Sequence, residues 1–391
     1  MDDVPQVVWW LTIAAIAGLL LFDFVAHVRK AHAPSLREAA LWSALYVGIA
    51  ILFEVGVFVF GGPKMGTEYF AGYVTEKALS VDNLFVFLII MSSFKVPRAD
   101  QQKVLLFGIV FSLIARTGFI LLGAALINLF AWVFYLFGLI LLITAGNLLK
   151  PEGEDSHSAD NIVIRVARKL FHTTDTYDGD RLFTTVDGRR AMTPMLLVMV
   201  AIGGTDILFA LDSVPAIFGL TQNVYLVFTA TAFSLLGLRQ LYFLIDGLLN
   251  RLVYLAYGLA VILAFIGVKL ILHALHENNV PFINNGQPVH VVEISTGLSL
   301  SVIIGVLFVT VVASMTSPWG RAQNVIASAR RHAVEYLDIE TDPARRREVF
   351  DALLAEEATL KQLPEKYRAR IREEEKLMTL LKRAHEAHAR T

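Results

Sequence analysis

The chain has 391 residues, of which 55% are hydrophobic and 18% charged, and its formal net charge is −1. A typical soluble protein carries about 25% charged residues, and a nucleic-acid-binding protein is usually basic, so neither class is favoured and we expect no nucleic-acid partner. Cysteine is absent, which excludes disulfides, thiolate metal sites and a cysteine nucleophile within these residues.

Nine stretches are long and apolar enough to cross a lipid bilayer as helices, each crossing taking about 20 residues. The sequence therefore predicts an all-α, polytopic membrane protein. The first stretch follows two aspartates and lacks a basic segment before it, so it does not resemble a cleaved signal peptide. The predicted spans lie near 6–25, 38–60, 72–93, 104–124, 127–149, 193–218, 224–245, 252–273 and 295–315.

Lysine and arginine cluster in alternate loops. They follow the first, third, fifth and seventh predicted spans, whereas the loop 274–294 has none. Because cytoplasmic loops carry an excess of these residues, the pattern predicts a multi-pass protein of the plasma membrane, the bacterial cytoplasmic membrane. Its N-terminus is expected outside and its C-terminus in the cytoplasm.

Two segments are predicted outside the bilayer. The loop 150–192 belongs to a predicted transmembrane transporter domain, 1–317, and is expected to contain an amphipathic helix near 161–172 and a hairpin around Asp187 and Gly188. The tail 318–391 alternates charges of both signs, and the pair Asp342-Pro343 is typical of a helix start. We expect a cytoplasmic helical tail, either a solvated hairpin or a surface for membrane partners.

Acidic residues repeat at the same spacing in two apolar stretches. Glu76 and Asp82 lie in the third predicted span, and Asp206 and Asp212 lie in the sixth, with five residues between the acids of each pair. A charged side chain at the bilayer centre costs at least a few kcal/mol, so acids there usually mark a functional site. The repeat predicts one oxygen-rich cation site.

The two acidic segments are predicted to cross the membrane in opposite directions, because an odd number of spans separates equivalent positions. Inverted repeats of this kind place a substrate site near the midplane, often at interrupted helices. Gly203-Gly204 and Pro215 flank the second pair of acids and predict such interruptions.

The spacing also restricts how the acids can act. Six residues of helix span about 9 Å and turn by roughly 240°, so either the helix breaks between the two acids of a segment, or only one acid of each segment is a direct ligand. We expect Asp82 and Asp212 nearest the centre, with Glu76 and Asp206 close by. The neighbouring oxygen donors are Asn83, Ser80, Thr205 and Ser213. Such hard oxygens suit Mg²⁺, Ca²⁺ or Mn²⁺ rather than Cu⁺ or structural Zn²⁺.

Structural ion pairs are the alternative explanation for these acids. Arg116, Lys77 and Arg239 are the candidate cationic partners. Glu54 and Arg116 lie mid-way along the second and fourth predicted spans, where each should face protein or a water-filled cavity. They either pair with each other, or Arg116 neutralises a site acid. His273, His276 and Glu277 have a metal-like spacing but are interpreted as a polar helix end.

Two runs resemble the signatures of the TerC family, which is named for tellurium resistance. They are EKALSVDNLFVF at 76–87 and FALDSVPAIF at 209–218, and the resemblance extends over roughly residues 1–315. It implies an all-helical membrane protein related to LysE-type exporters and manganese efflux from the cytoplasm. The ligands so implied are Glu76, Asp82, Asp206 and Asp212, with Asn83 beside Asp82. One departure is Gly203, where many members have glutamate.

The leading hypothesis is therefore a secondary transporter that exports Mn²⁺, although the residues alone fit Ca²⁺ or Mg²⁺ equally well. No Walker motif is present in the chain, so ATP is not expected as the direct energy source. The alternative is a membrane metal-binding interaction protein that loads metal onto exported proteins or senses metal. Paired aspartates also serve as hydrolytic dyads, but no protease motif accompanies them and no enzyme is predicted.

Overall fold

The computed structural model describes residues 4–25, 36–94, 96–130, 132–149, 181–186, 189–245, 254–278, 280, 283–338, 343–362 and 374–389. Nearly all of this part of the chain is helical, which confirms the all-α, polytopic prediction. The elements are α1 (Gln6–Asp23), α2 (Leu36–Ser93), α3 (Arg98–Leu129), α4 (Val133–Leu148), β1 (Phe183–Val186), β2 (Arg189–Met192), α5 (Pro194–Phe218), α6 (Val224–Leu235), α7 (Leu238–Ile245), α8 (Leu255–His276), α9 (Thr296–Thr316), α10 (Pro318–Asp338), α11 (Pro343–Gln362) and α12 (Glu374–Ala389).

Helix α2 folds back on itself at Gly62. A straight helix of its 58 residues would extend about 87 Å, far more than the roughly 30 Å of a bilayer core. Gly62 has φ +86°, a left-handed conformation that glycine adopts readily. The Tyr69 hydroxyl donates a hydrogen bond to the Ala50 carbonyl at 3.4 Å. α2 therefore has a first arm, 36–61, and a second arm, 63–93.

The apolar helices match the predicted spans in number. In the described residues, seven helical segments are long and apolar enough to cross a membrane. In this count α2 is one segment, and α6 and α7 together form another. Val133–Leu148 is a shorter apolar helix. Counting both arms of α2, the described residues contain nine apolar segments. Each of them corresponds to one of the nine predicted spans.

Helix α6 lies at the centre of the first compact unit, which comprises Met1–Leu244 and Ala256–Val306. It packs against α2, α3, α1 and α5, and its side chains from Tyr225 to Leu235 are all buried. No charged residue occurs in α6, as expected for a helix that is apolar on every side and therefore buried.

The predicted interruptions of the sixth span are wrong, because α5 runs unbroken from Pro194 to Phe218 with Pro215 near its end. A glycine costs about 1 kcal/mol in a helix, but Gly203 also allows close packing: a Cβ there would lie 3.0 Å from the Phe111 ring. The chain breaks instead in the next span. Gly237 separates α6 from α7 with φ +77°, and a Cβ there would lie 2.7 Å from Tyr46.

The loop before α5 contains the predicted hairpin. β1 and β2 pair antiparallel, with Phe183 opposite Met192 and Val186 opposite Arg189. The turn residues Asp187 and Gly188 and the helix predicted near 161–172 lie outside the described residues.

The second compact unit comprises Ile245–Leu255 and Leu307–Thr391. Helices α10, α11 and α12 share a small apolar core that includes Tyr336, Phe350 and Leu381, so the described residues of the tail form three packed helices rather than the two of a hairpin. α11 begins at Pro343, where the sequence predicted a helix start, while Asp342 lies outside the described residues. The domain boundary at 317 stays a prediction.

Candidate functional site

The two acidic segments lie on neighbouring antiparallel helices, the second arm of α2 and α5. The Thr221 hydroxyl, just beyond α5, donates to the Glu68 carboxylate at 2.6 Å. Gly72 follows Glu68 by four residues, and Ile217 precedes Thr221 by four. A Cβ on Gly72 would lie 3.3 Å from the Ile217 side chain, so the two helices run in opposite directions. The opposite directions agree with the odd number of spans between the segments.

This register places the four acids at two levels. Continued along both helices, it brings Glu76 level with Ser213 and therefore beside Asp212. It likewise brings Asp82 level with Ile207 and therefore beside Asp206. The levels are separated by six residues of helix, about 9 Å. Each level thus contains one acid from each segment.

Arg116 connects the two segments. It lies on α3, which runs parallel to α5, since Gly108 contacts Ile202 and Gly123 contacts Phe218. The Arg116 guanidinium forms an ion pair with Glu76, and its Nη2 lies 3.3 Å from Oδ1 of Asp206.

All three of these side chains are shielded from solvent. Arg116 is 1% exposed, Glu76 0% and Asp206 2%. A buried charge is tolerated only when it is paired, so Arg116 and its two acids depend on one another.

The other two acids are less enclosed. Asp82 and Asp212 are both half-buried, and Asp212 lies close enough to Asp82 and to Arg116 to interact electrostatically with both. The most deeply buried acids are thus Glu76 and Asp206, whereas the sequence placed Asp82 and Asp212 nearest the centre.

The predicted neighbouring donors are present beside the acids. Asn83, Ser80, Thr205 and Ser213 are all buried. The Thr205 hydroxyl donates to the Ala201 carbonyl of its own helix at 2.7 Å. Within the described residues the hydroxyls of Ser80 and Ser213 are buried without a hydrogen-bond partner, so their oxygens are free to accept from or coordinate a ligand.

The four acids do not form a single metal-binding cluster here. Among the described residues, no three acidic or histidine side chains are close enough together to hold a metal ion. Arg116 pairs with Glu76 and Asp206, so a guanidinium rather than a metal ion lies against these two carboxylates. The assignment of metal ligands stays a prediction.

The structure distinguishes between the cations considered as partners. Arg116 contacts site acids rather than Glu54, which lies near Tyr69. Lys77 donates to the main-chain carbonyls of Ser234 at 2.9 Å and Leu236 at 3.4 Å, at the end of α6. Arg239 is paired outside the two acidic segments.

A buried polar network around Asp23 was not predicted as a unit. Oδ1 of Asp23 accepts hydrogen bonds from Arg239 at 2.7 Å, Gln240 at 2.9 Å and Tyr46 at 3.0 Å. Arg239 also donates to Gln102 at 2.6 Å. The available signal was a pair of lone opposite charges in the first and seventh spans.

A cavity of about 1020 Å³ opens at the other end of this unit, by the turn of α2 and the ends of α5 and α8. Its lining includes Glu68, Lys269 and Phe218. Phe218 follows Asp212 by six residues, about 9 Å along α5. The cavity therefore approaches the acidic site from this end.

The histidines at the end of α8 form separate pairs. His273 lies 3.5 Å from Glu277, and His276 lies 3.5 Å from Glu293. These contacts agree with the interpretation as a polar helix end, in a part of the chain where the described residues contain no metal-like cluster.

Comparisons with known proteins agree with this architecture. The model of the family described as "Integral membrane protein TerC family" matches residues 61–319. An uncharacterized membrane protein of Mycobacterium tuberculosis (strain H37Rv) is 62% identical over 386 residues, 97% of each chain. One from Myxococcus xanthus is 36% identical over 319 residues, 81% of this chain and 95% of its own.

An Escherichia coli (strain K12) protein carries the provisional name membrane-bound redox modulator Alx. It is 34% identical to this chain over 320 residues, which cover 79% of this chain and 95% of its own. No solved structure matches the chain.

Proposed function

The chain belongs to the TerC family of integral membrane proteins, and from that premise we propose that it is a secondary transporter exporting Mn²⁺ from the cytoplasm. One observation carries the proposal. Two antiparallel helices of the membrane part each contribute two acids to one region, and Glu76 and Asp206 are fully buried there. Glu76 and Asp206 share a single guanidinium, that of Arg116, so these three buried groups carry one excess negative charge when all are ionised, an environment that favours a cation.

The chemistry of the donors supports a hard divalent ion. The carboxylates of Asp82 and Asp212, the amide oxygen of Asn83 and the hydroxyls of Ser80 and Ser213 are all oxygen donors, which suit Mn²⁺, Mg²⁺ or Ca²⁺. The choice of Mn²⁺ among these ions rests on the family resemblance. Movement of the two repeats against each other would expose the site to each side in turn.

The proposed orientation gives the cavity and the Asp23 network distinct places. With the N-terminus outside and the C-terminus in the cytoplasm, the cavity near Phe218 opens to the outside and the network around Arg239 lies at the cytoplasmic side. In this arrangement the ion path is wider on the release side. The membrane is proposed to be the bacterial cytoplasmic membrane.

The name of the Escherichia coli relative suggests a redox role for that protein. None of the 391 residues of this chain is cysteine, so no thiol–disulfide chemistry can come from them. A change in cellular manganese is the indirect route that we favour.

Transport by the purified, full-length protein in proteoliposomes tests the proposal. We expect Mn²⁺ to cross the membrane with the wild type, and Asp82→Asn and Asp212→Asn to remove most of the flux. Asp351→Asn makes the same chemical change at an exposed position on α11, in the second compact unit, and should transport normally. Equal flux in all four proteins would refute the assignment.

A membrane metal-binding interaction protein is the second candidate. The observation that favours it is the tail, whose three helices have their own apolar core and so can present a folded surface. Such a protein would bind Mn²⁺ through the same acids but would move none across the liposome membrane.

A further inference from the structure

We propose that Arg116 is a built-in counter-ion that holds the carboxylates of Glu76 and Asp206 when no metal is bound and must leave at least one of them when the ion binds. The inference rests on the proposed function and adds a named residue to it. Its role is to lower the affinity of the site so that the ion can be released.

The contacts of Arg116 place its positive charge where a bound metal ion would lie. Its guanidinium pairs with one acid from each segment, Glu76 from α2 and Asp206 from α5. A bound divalent ion bridging the two segments would occupy the same place between the same carboxylates. Like charges at that distance repel, so the ion and the guanidinium cannot both sit there.

Burial makes this competition strong. Arg116, Glu76 and Asp206 are shielded from water, so solvent cannot replace the guanidinium when it moves. The remaining acids offer it another place, since Asp212 already interacts electrostatically with Arg116. A shift of the guanidinium from Glu76 or Asp206 towards Asp212 would keep its charge paired while the ion binds.

The direction of the effect separates this role from a purely structural one. If Arg116 only holds the helices together, its removal loosens the site and weakens Mn²⁺ binding. If Arg116 competes with the ion, its removal strengthens binding and slows release. A gain of about tenfold is expected if the competing pairs are formed about 90% of the time.

The first experiment measures Mn²⁺ binding by calorimetry and transport in proteoliposomes for the wild type, Arg116→Gln and Arg116→Lys. We expect Arg116→Gln to bind about tenfold more tightly, with a lower KM and a lower kcat. Lysine provides a single point charge that does not bridge two carboxylates as a guanidinium does, so Arg116→Lys should lie between the two. Arg239→Gln, which removes a second buried arginine, should not tighten binding.

Equal or weaker binding by a folded Arg116→Gln protein would overturn the proposal. If both Arg116 variants fail to fold, the wild type decides. Infrared difference spectroscopy of protein with isotope-labelled arginine reports on the guanidinium bands, which should shift when Mn²⁺ binds. Guanidinium bands that stay the same on Mn²⁺ binding would also overturn the proposal.

The outcomes separate a failure of this inference from a failure of the proposed function. A wild type that neither binds nor transports Mn²⁺ removes the proposed function and this inference with it. A wild type that transports Mn²⁺, with an Arg116→Gln variant that binds no more tightly, removes the role of Arg116 alone.

Discussion

Two buried arginines hold their charge in different ways. Arg239 pairs with one acid, Asp23, whose oxygen also accepts from the neutral donors Tyr46 and Gln240. Arg116 pairs with Glu76 and Asp206 and also interacts with Asp212. Among the residues that the structure describes, Arg239 pairs with one acid, whereas Arg116 is shared between two buried acids.

The difference indicates which network is structural and which is functional. An arginine that pairs with one acid among neutral donors does not attract a further ion. The network around Arg239 connects α1, α2, α3 and α7. A site with excess carboxylates is incomplete in electrostatic terms and attracts a cation. Variants that alter stability without transport should therefore map to Asp23 and Arg239. Those that alter transport without stability should map to Asp82 and Asp212.

The largest expected effect is on stability, at Arg239. Arg239→Gln breaks the buried ion pair between Arg239 and Asp23, a change that typically costs about 3–5 kcal/mol. We expect a clear drop in the thermal midpoint of the detergent-solubilised protein. The double variant Asp23→Asn with Arg239→Gln should recover part of the loss, because no uncompensated charge remains. A thermal midpoint of Arg239→Gln equal to that of the wild type would contradict a structural role for the Asp23 network.

The next effect is on transport, at Asp82 and Asp212. Neutralising either acid should lower the Mn²⁺ affinity by at least about 10- to 100-fold, the loss seen when even a group that supports a metal ligand is removed. Stability should change little, because both side chains are half-buried. Calorimetric Mn²⁺ titration and thermal unfolding of the same preparations check both halves. A variant that loses stability but keeps its Mn²⁺ affinity would show that the acid is structural rather than functional.

Gly203 tests how packing limits the acidic site. A Cβ at this position would lie 3.0 Å from the Phe111 ring, so Gly203→Glu should overpack the α3–α5 contact at a cost of about 1–3 kcal/mol. Gly203→Glu combined with Phe111→Ala should regain stability and, with one more carboxylate, bind Mn²⁺ more tightly. Phe111→Ala alone is the control. No gain in affinity would mean that position 203 does not face the ion.

The smallest expected effect is at Tyr46. Tyr46→Phe removes one hydrogen bond to Asp23 and should cost about 1 kcal/mol, seen as a small fall in the thermal midpoint with Mn²⁺ transport unchanged. The control is Ala39→Ser, which changes the polarity of another buried position in the first arm of α2. It shows how far such a change by itself lowers the thermal midpoint. Altered transport in Tyr46→Phe would connect the Asp23 network to the ion path.

The sequence by itself determined the all-α class, the nine apolar segments, the hairpin before α5 and the opposite directions of the two acidic segments. These depend on hydropathy, turn chemistry and the number of crossings, which are properties of consecutive residues. Glycine and proline were less informative, since Gly203 and Pro215 lie inside an unbroken helix while Gly237 marks the break. Packing between helices overrides local preference at such positions.

Only the tertiary structure decided which acid meets which cation. Arg116 was one of three candidate partners, and its pairing with Glu76 and Asp206 follows from the register of α2, α3 and α5. That register is set where small residues let the helices approach, as at Gly72 against Ile217 and Gly108 against Ile202. Spacing along one helix fixes the angle between its own side chains. The partner that faces them depends on how three separate helices are rotated and shifted against each other.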